Sequence, residues 1–338
     1  MAETNIETVL QLSAYVAPLK ALGYRNTDQL VGAGLAARLP LAKYLKLAPA
    51  ALDHLLAGLP QRQSPIGAVH APPVHRLGLR LDLMPRRVNF AMAMSMSVAT
   101  QLPASTDLVS QMGPVRDQAN RGTCVAHATT AIVEHYWNLH GKGLVNLSRQ
   151  FAYWDCKQHD GHTEEEGTWI SIAMPLLQSD GCPLEVVWSY NPSDIPNDES
   201  QGPPPAGAVA SADEFKIPSF RQLSATAVHD LKAELADGRP VAFSIPVFNS
   251  WYFNNKEVVR SGEIINPLPD EISVGGHAMC MVGYMDEPAE IALGGGRFII
   301  RNSWNSTWGT ESTTGHVGYG TIPYSYISRF GLEAFTVV

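Results

Sequence analysis

The chain has 338 residues, of which 45% are hydrophobic and 17% charged, a balance typical of a globular protein rather than a disordered or fibrous one. It contains no run of 18 or more apolar residues, so the sequence predicts no membrane-spanning helix. The net charge of -8 is uneven, because residues 1–100 carry 10 Lys and Arg against 5 Asp and Glu, whereas residues 101–338 carry 14 against 27. This division predicts two units that attract each other, or a basic unit that meets an acidic partner.

The N-terminus and the cysteines bear on the compartment. Residues 1–20 lack a basic start followed by an apolar stretch and a small-residue cleavage site, so we expect no secretory signal. The cysteines are too few for a disulfide framework in a chain of this size: Cys124, Cys156, Cys182 and Cys280. We expect reduced thiols in a cytoplasmic protein, and pairing of Cys156 with Cys182 stays open.

Residues 1–60 are predicted to form a small helical domain, because stretches rich in Leu and Ala alternate with turn residues. The expected turns lie at Gly23, 32–34 and Pro40. Residues 26–28 (Asn-Thr-Asp) supply helix N-cap chemistry, and Pro49 suits the first turn of a further helix.

The stretch VGAGLAARL at 31–39 gives this domain a resemblance to the small helix-hairpin-helix-like domains of bacterial proteins. Some of those domains grip nucleic-acid phosphates with the hairpin loop, which the stretch matches loosely. We therefore expect a packing or docking module and do not favour nucleic-acid binding.

Residues 61–101 are predicted to be a linker. Prolines in this stretch or next to it forbid a continuous helix: Pro65, Pro72, Pro73, Pro85 and Pro103. The Met-rich patch AMAMSMSVA at 91–99 shows no clear periodicity. We expect the linker to lie across the surface of the following domain, where it could be inhibitory.

Residues 102–338 change from helical patterns to strand patterns along the chain. Apolar spacing predicts helices over 124–140, 169–178 and 226–237. Short hydrophobic runs bounded by Gly and Asp predict strands over 240–248, 277–285 and 296–304. Helices followed by an antiparallel sheet indicate an α+β domain with two sub-domains.

Cys124 follows a polar loop and opens the first of these helices. A helix N-terminus lowers the pKa of a thiol, and Gly122 would permit close approach of a substrate backbone. Gln118 could present an amide donor to an oxyanion beside the Cys124 N–H. Taken alone, a buried structural thiol is the more common role for such a cysteine.

Two later segments supply partners for a thiolate. His277 follows two glycines and opens an apolar strand, and Asn302 ends another strand just before Trp304. An amide oxygen that accepts from a histidine ring fixes the orientation of that ring, and an indole can shield the bond from water. His127 lies near Cys124 in sequence but is expected to be a core or subsite residue.

The order Gln118, Cys124, His277, Asn302 resembles that of the papain/cathepsin-type cysteine peptidases. The family signature C-G-[SA]-C-[WY] is followed by His and Asn roughly 130 to 150 residues later. Here the corresponding residues are 121–125 (Arg-Gly-Thr-Cys-Val), and His277 and Asn302 lie 153 and 178 residues after Cys124. A Gly-rich hairpin tip at 288–296 accounts for part of the extra length.

The resemblance covers about 102–338 and implies a papain-like fold with a helical half and a β-barrel-like half. It implies Cys124 as nucleophile, His277 as its acid and base partner, Asn302 as the orienting residue and Gln118 as oxyanion donor. The residues that it places around the substrate are Gly122, Gly167, Gly276 and Trp304, the last as a shield. No cofactor or metal is expected, and the cluster HDGHTEEE at 159–166 is interpreted as a solvated loop.

Three functions remain open on this scaffold. The first is a bacterial-looking cysteine endopeptidase that hydrolyses peptide or protein substrates, with its N-terminal extension autoinhibitory, as in a zymogen, or docked. The second is a transpeptidase or peptide-maturation enzyme that passes the acyl group to an amine. The third is an inactive, peptidase-like binding protein.

Overall fold

A computed structural model describes residues 3–62, 76–81, 101–252 and 256–338. Most of the predicted linker, including the Met-rich patch at 91–99, lies outside these ranges. In the part of the chain that is described, no helix is both long and apolar enough to cross a membrane.

The N-terminal unit, residues 3–62, contains four short helices. They are α1 (Val16–Leu22), α2 (Thr27–Ala36), α3 (Arg38–Tyr44) and α4 (Pro49–Ala57). Asn26 caps α2 in a reciprocal capping box with Gln29, and Pro49 begins α4, as the sequence predicts.

The predicted turn at 32–34 is wrong, because α2 continues through it to Ala36. A Cβ atom at Gly34 would lie only 2.2 Å from Cδ1 of Leu56, so this glycine serves close packing of α2 against α4. VGAGLAARL therefore lies in α2 and the start of α3 and forms no hairpin loop. Pro40 lies in the first turn of α3, where its missing N–H costs no hydrogen bond.

The rest of the chain forms a helical half and a sheet half. The helices are α5 (Cys124–Trp137), α6 (Arg149–His159), α7 (Ile170–Ser179), α8 (Ala208–Ala212), α9 (Val228–Ala236), α10 (Lys256–Ser261) and α11 (Tyr324–Phe330). Almost every side chain of α5 is buried, because α6, α7 and the sheet pack around it. This explains why the helix is apolar and rich in Ala along most of its length.

The described strands form one antiparallel sheet. They are β1 (Ser105–Asp107), β2 (Phe220–Gln222), β3 (Val241–Phe248), β4 (Ser273–Asp286), β5 (Gly296–Arg301), β6 (Tyr319–Pro323) and β7 (Glu333–Val337). The order is β2-β7-β3-β4-β5-β6, with β1 paired to the far end of β4. The predicted α+β class is confirmed, and α5 packs its length against β4.

The N-terminal unit packs on the sheet half, where α2 meets α10 and α1 meets the turn between β4 and β5. Ion pairs join its basic side chains to acidic ones of the larger unit, among them Arg25 with Glu287 at 3.1 Å, Lys43 with Asp270 at 2.6 Å and Arg62 with Glu311 at 2.8 Å. The uneven charge along the sequence thus corresponds to an attraction between the two units.

Candidate active site

Cys124 is the first residue of α5 and lies opposite the start of the buried part of β4. Its Sγ accepts a hydrogen bond from the backbone N–H of Ala278 at 3.3 Å, and its side chain is fully buried. The contact brings the thiol beside His277, since Ala278 is the next residue of the strand. The helix and the sheet therefore bring the two groups together although they lie 153 residues apart in sequence.

The His277 ring is held by Asn302 and covered by Trp304. Its Nε2 lies 2.8 Å from Oδ1 of Asn302, an oxygen that also accepts from the N–H of Ser303 at 2.8 Å. Because that oxygen can only accept, the imidazole Nε2 carries a proton in this pair. The buried indole of Trp304 stacks on the imidazole at 4.8 Å between ring centroids, which keeps water from the pair.

Gln118 is fully buried in the loop before α5 and is fixed from two sides. Its Oε1 accepts from Ser303 Oγ at 2.6 Å, and its Nε2 donates to the carbonyl of Arg121 at 2.9 Å. The carboxamide is thereby held with its N–H groups towards the loop that carries Cys124. The structure thus brings together the four residues that the resemblance selects for catalysis.

Residues 76–81, hereafter the cleft segment, lie across this site. Leu79 donates its N–H to the carbonyl of Gly276 at 3.1 Å, and the carbonyl of Gly78 accepts from the N–H of Thr168 at 3.1 Å. These are strand-like bonds to both walls of the cleft. The carbonyl of Arg76 accepts from Nε2 of Gln118 at 2.8 Å, so the segment also engages the predicted oxyanion donor.

Gly78 is the point at which the cleft segment comes nearest to the nucleophile. A Cβ atom there would lie 2.0 Å from the carbonyl oxygen of Gly122, so only glycine fits without a shift of the backbone. A Cβ atom at Gly167 would in turn lie 2.7 Å from the carbonyl oxygen of Gly78. Gly167 therefore makes room for a backbone in the cleft, whereas a Cβ atom at Gly122 would instead lie 2.4 Å from Cγ of Glu166.

Burial raises the pKa of the Cys124 thiol to about 11. Backbone N–H groups of Ala278, Gly78 and Val125 oppose this rise, since they donate towards the sulfur. With the segment in place the group is a thiol at neutral pH. A thiol is a poorer nucleophile than a thiolate.

The loop at 159–166 holds the cleft segment by charge. Arg76 pairs with Glu166 at 3.5 Å and with Asp194 at 2.9 Å, and Arg80 pairs with Glu165. The loop is largely exposed, as the sequence predicts, but Glu165 and Glu166 in it also form ion pairs with the cleft segment. Among the described residues, no group of three His, Cys, Asp or Glu side chains could hold a metal ion.

The backbone that pairs with the cleft segment belongs to Thr168, one residue beyond the predicted Gly167. The N–H of Gly167 donates to the hydroxyl of Tyr153 at 2.9 Å, and its carbonyl accepts from the buried Nζ of Lys157 at 2.9 Å. Gly167 is thus anchored to α6 while its neighbour faces the cleft. The next residue, Trp169, donates its indole N–H to the carbonyl of Arg80 at 3.0 Å.

Arg121 occupies the position of the cysteine that precedes the nucleophile in the family signature. Its guanidinium is buried, donates to the Gln150 side chain at 2.7 Å and to the Asn191 carbonyl at 2.8 Å, and lies over the rings of Tyr153 and Tyr190. These bonds tie the nucleophile loop to α6 and to the loop before α8.

Two further sequence expectations concern residues behind the nucleophile. Cys156 and Cys182 are both free and buried in the structure, which answers the open question of their pairing. His127 is buried, its Nδ1 lies 3.0 Å from the carbonyl of Thr123, and burial lowers its pKa to about 3. It is a neutral residue of the core.

Comparison with curated proteins finds relatives that match about three fifths of the chain. An uncharacterised peptidase C1-like protein of Acanthamoeba polyphaga mimivirus is 27% identical over 227 residues, which cover 64% of this chain and 67% of that protein. Cysteine proteinase 3 of Dictyostelium discoideum is 26% identical over 197 residues, which cover 58% and 52%. The chain thus spans between half and two thirds of the length of these relatives.

Solved structures resemble the fold over more of the chain. Xylellain, a cysteine protease from Xylella fastidiosa, matches with a TM-score of 0.63 and 26% identity over 82% of this chain and 98% of its own. Procathepsin L 3 of the Tenebrio molitor larval midgut matches with a TM-score of 0.54 and 18% identity over 98% and 100%. Residues 102–320 match the sequence model described as papain family cysteine protease. Together with the papain-like fold, this match shows that the chain belongs to the papain family of cysteine proteases.

Proposed function

We propose that the chain is a latent cysteine endopeptidase that cleaves peptide bonds through Cys124, His277 and Asn302. The observation that carries the proposal is the convergence of α5, β4 and β5 on one point. There the Cys124 sulfur bonds the residue after His277, and Nε2 of His277 lies 2.8 Å from Asn302.

Each residue has a chemical role in this reaction. The Cys124 thiolate attacks the substrate carbonyl, and the resulting oxyanion accepts from Gln118 Nε2 and the Cys124 backbone N–H. Since Asn302 engages Nε2 of His277, proton exchange with the thiol and the leaving group falls to Nδ1. His277 protonates the departing amine as the C–N bond breaks, and then takes a proton from the water that hydrolyses the thioester.

The latency of the enzyme is assigned to the cleft segment. It bonds both walls of the cleft and the amide of Gln118, and Gly78 lies against the thiol, so a substrate could not reach Cys124 while the segment stays. The presence of a procathepsin among the proteins of similar fold agrees with a zymogen-like arrangement. A substrate must displace these bonds, or the segment must be removed.

The N-terminal unit has a different role in this proposal, that of an anchor. Its contact with the sheet half includes buried polar pairs: Asn26 Nδ2 donates to Glu257 at 3.3 Å, and Gln29 Nε2 donates to Glu263 at 3.1 Å. Removing the unit would leave both glutamates without these partners, which is costly for partly buried charges. Deleting residues 1–101 would therefore unblock the cleft and weaken the sheet half at once.

The test uses the full chain and a covalent probe. A peptidyl epoxide should label the chain once the cleft is open, and Cys124→Ala should abolish both labelling and peptide hydrolysis. Labelling or turnover that persists in the Cys124→Ala chain would refute the assignment. Thermal unfolding of the variant serves as the control for folding, because this thiol is fully buried.

A reducing compartment, such as the cytoplasm, suits this enzyme. All four cysteines are free, and Arg121 supports the nucleophile loop without a disulfide. Expression in reducing and oxidising hosts, followed by thiol counting on the folded protein, tests the proposal.

A further inference from the structure

A small cavity lies behind the candidate catalytic residues, between α5 and the strands β4 and β5. Its volume is about 10 Å³, which is room for one particle of about the size of water. Ala128 and Ala131 of α5 and Ala278 of β4 line it, and their three methyl groups do not fill the space between helix and sheet. The charged and polar side chains that line it are those of Arg116, His127, Arg301, Asn302 and Ser303.

Three of these side chains carry a buried nitrogen that makes no hydrogen bond: Nε of Arg116, Nε of Arg301 and Nδ2 of Asn302. Each of these nitrogens can only donate, and a buried donor without an acceptor is costly. We propose that the cavity binds one chloride-sized monovalent anion, which accepts a hydrogen bond from each of the three. The inference goes beyond the proposed peptidase function and does not depend on it.

The other bonds of Arg301 and Asn302 fix the two side chains beside the cavity. Arg301 is almost fully buried and donates through a terminal nitrogen to the carbonyls of Gly113 and Pro114. The side-chain oxygen of Asn302 lies 2.8 Å from Nε2 of His277, so Nδ2 of Asn302 points away from the imidazole. An anion bonded to this Nδ2 would hold the carboxamide from the side opposite His277.

The charges around Arg116 leave an excess of positive charge at the cavity. Arg149 and Arg301 act on Arg116 as like charges, and Glu134 and Glu185 act on it as opposite charges, so three arginines and two glutamates leave one positive charge. Glu134 is already paired with Arg149 at 2.7 Å. Burial and the like charges together lower the pKa of Arg116. A bound anion would offset the excess charge.

The competing occupant is a water molecule. Water has two lone pairs, so it accepts from two of the three donors and needs acceptors for its own hydrogens. Nε2 of His127 could serve as one acceptor, because Nδ1 of the same ring donates to the carbonyl of Thr123 at 3.0 Å. Water would leave the third donor unsatisfied and the positive charge without compensation. An anion accepts from all three donors and supplies the missing charge.

Thermal unfolding of the full chain tests the site without a substrate. The unfolding midpoint is measured over a series of sodium chloride concentrations, with sodium gluconate added to keep the ionic strength constant. We expect a saturable rise of about 2–4 °C at about ten times the dissociation constant, because the anion binds only the folded chain. Bromide should replace chloride, whereas gluconate is too large for a cavity of about 10 Å³.

Variants connect the rise to this cavity. Arg116→Met removes one donor and one charge from a half-buried position and should abolish the rise. Arg329→Met, at an exposed arginine that does not line the cavity, is the matched control and should retain it. Ala128→Val keeps all three donors but fills the space, so it should also lose the rise, and it replaces Arg116→Met if that variant disturbs folding.

A crystal of the full chain grown in bromide locates the ion, because bromide scatters X-rays anomalously. An anomalous peak in the cavity at the concentration that raises the unfolding midpoint would support the site. The inference would be overturned by an equal rise in gluconate, by a rise that Arg116→Met or Ala128→Val retains, or by density in the cavity without an anomalous signal. A peak without any rise would mean an adventitious ion only and would overturn it as well. None of these measurements uses peptide turnover, so their failure leaves the peptidase proposal untouched.

Discussion

The side-chain amide of Gln118 donates to the carbonyl oxygen of Arg76 at 2.8 Å, in the place where a substrate carbonyl is expected. Under the proposed function, the cleft segment would compete with a substrate for the same donor. It makes a second such bond at the carbonyl of Gly276. Its hold on the cleft rests on a few backbone bonds and ion pairs, which single substitutions can weaken.

Gly78→Ala should activate the full chain. The added Cβ would lie 2.0 Å from the carbonyl oxygen of Gly122, so the cleft segment must move away from Cys124. We expect kcat/KM for a peptide substrate to rise about tenfold or more. Gly58→Ala is the matched control, because its Cβ would meet nothing nearer than 3.6 Å, and it should leave activity unchanged. Equal rates for the two variants would argue against inhibition by the segment.

The pH dependence of Cys124 alkylation should show whether the cleft segment covers the thiol. With a pKa of about 11, the thiolate fraction at pH 7 is about 10⁻⁴, and it grows about tenfold for each pH unit. The iodoacetamide rate of the unaltered chain should follow this slope from pH 7 to 10. In the Gly78→Ala chain, contact with water and with the His277 imidazolium should lower the pKa and make the rate high already at pH 6. Identical profiles would contradict this.

Alkylation should report on Cys124 alone, because the other three thiols are unreactive in the folded chain. Cys156, Cys182 and Cys280 are buried, and burial raises the pKa of each, for Cys280 to about 12. The Cys124→Ala chain should therefore show almost no alkylation in its folded state.

Lys157→Met should destabilise the protein and loosen the cleft wall. The Lys157 ammonium is fully buried, 2.8 Å from Asp160 and 2.9 Å from the carbonyl of Gly167. Its loss leaves a buried carboxylate uncompensated, which costs about 3–5 kcal/mol of unfolding free energy. The double variant Lys157→Met/Asp160→Leu removes both charges and should recover most of this loss. Urea unfolding measures both, and equal stabilities of single and double variants would contradict the assignment.

His127 should make the fold sensitive to acid. Its pKa is about 3 in the folded protein against 6.5 for an ordinary histidine, so the unfolded state takes up the proton first as the pH falls. The unfolding free energy should decrease by about 2 kcal/mol from this residue between pH 7 and pH 5. His127→Gln should reduce the slope, whereas His229→Gln, at an exposed histidine, should not. A slope that both variants share would exclude His127 as its source.

Four residues of the candidate site could be predicted from the sequence, because their types occur in the order typical of a known family. Gln118, Cys124, His277 and Asn302 were selected in this way, and the fold brings them together. The α+β class followed from the change in apolar spacing along the chain. Both inferences depend on signals that are local in the sequence.

Other features depend on contacts that local patterns do not encode. The turn expected at 32–34 is helical, because packing against Leu56 decides the conformation there and not the propensity of glycine. The pairing of Thr168 with the cleft segment was not predicted, because a glycine at 167 suggested that Gly167 would pair instead. The N–H and carbonyl of Gly167 are hydrogen-bonded to Tyr153 and Lys157. The cleft segment carries no motif, and its role appears only when the chain folds back on itself.

The hairpin tip at 288–296, which the sequence analysis treats only as extra length, lies under the N-terminal unit. A Cβ atom at Gly23 would lie 3.6 Å from Leu293 of this tip. The insertion therefore contributes to the surface on which the N-terminal unit is anchored.

Arg121 holds the nucleophile loop in place through hydrogen bonds, which do not depend on redox conditions. Its guanidinium holds Gln150 and Asn191 through bonds that neither an oxidant nor a reductant can break. The reductant that keeps Cys124 a thiol therefore leaves the frame around it intact. The redox state of Cys124 and the integrity of its loop can therefore vary independently.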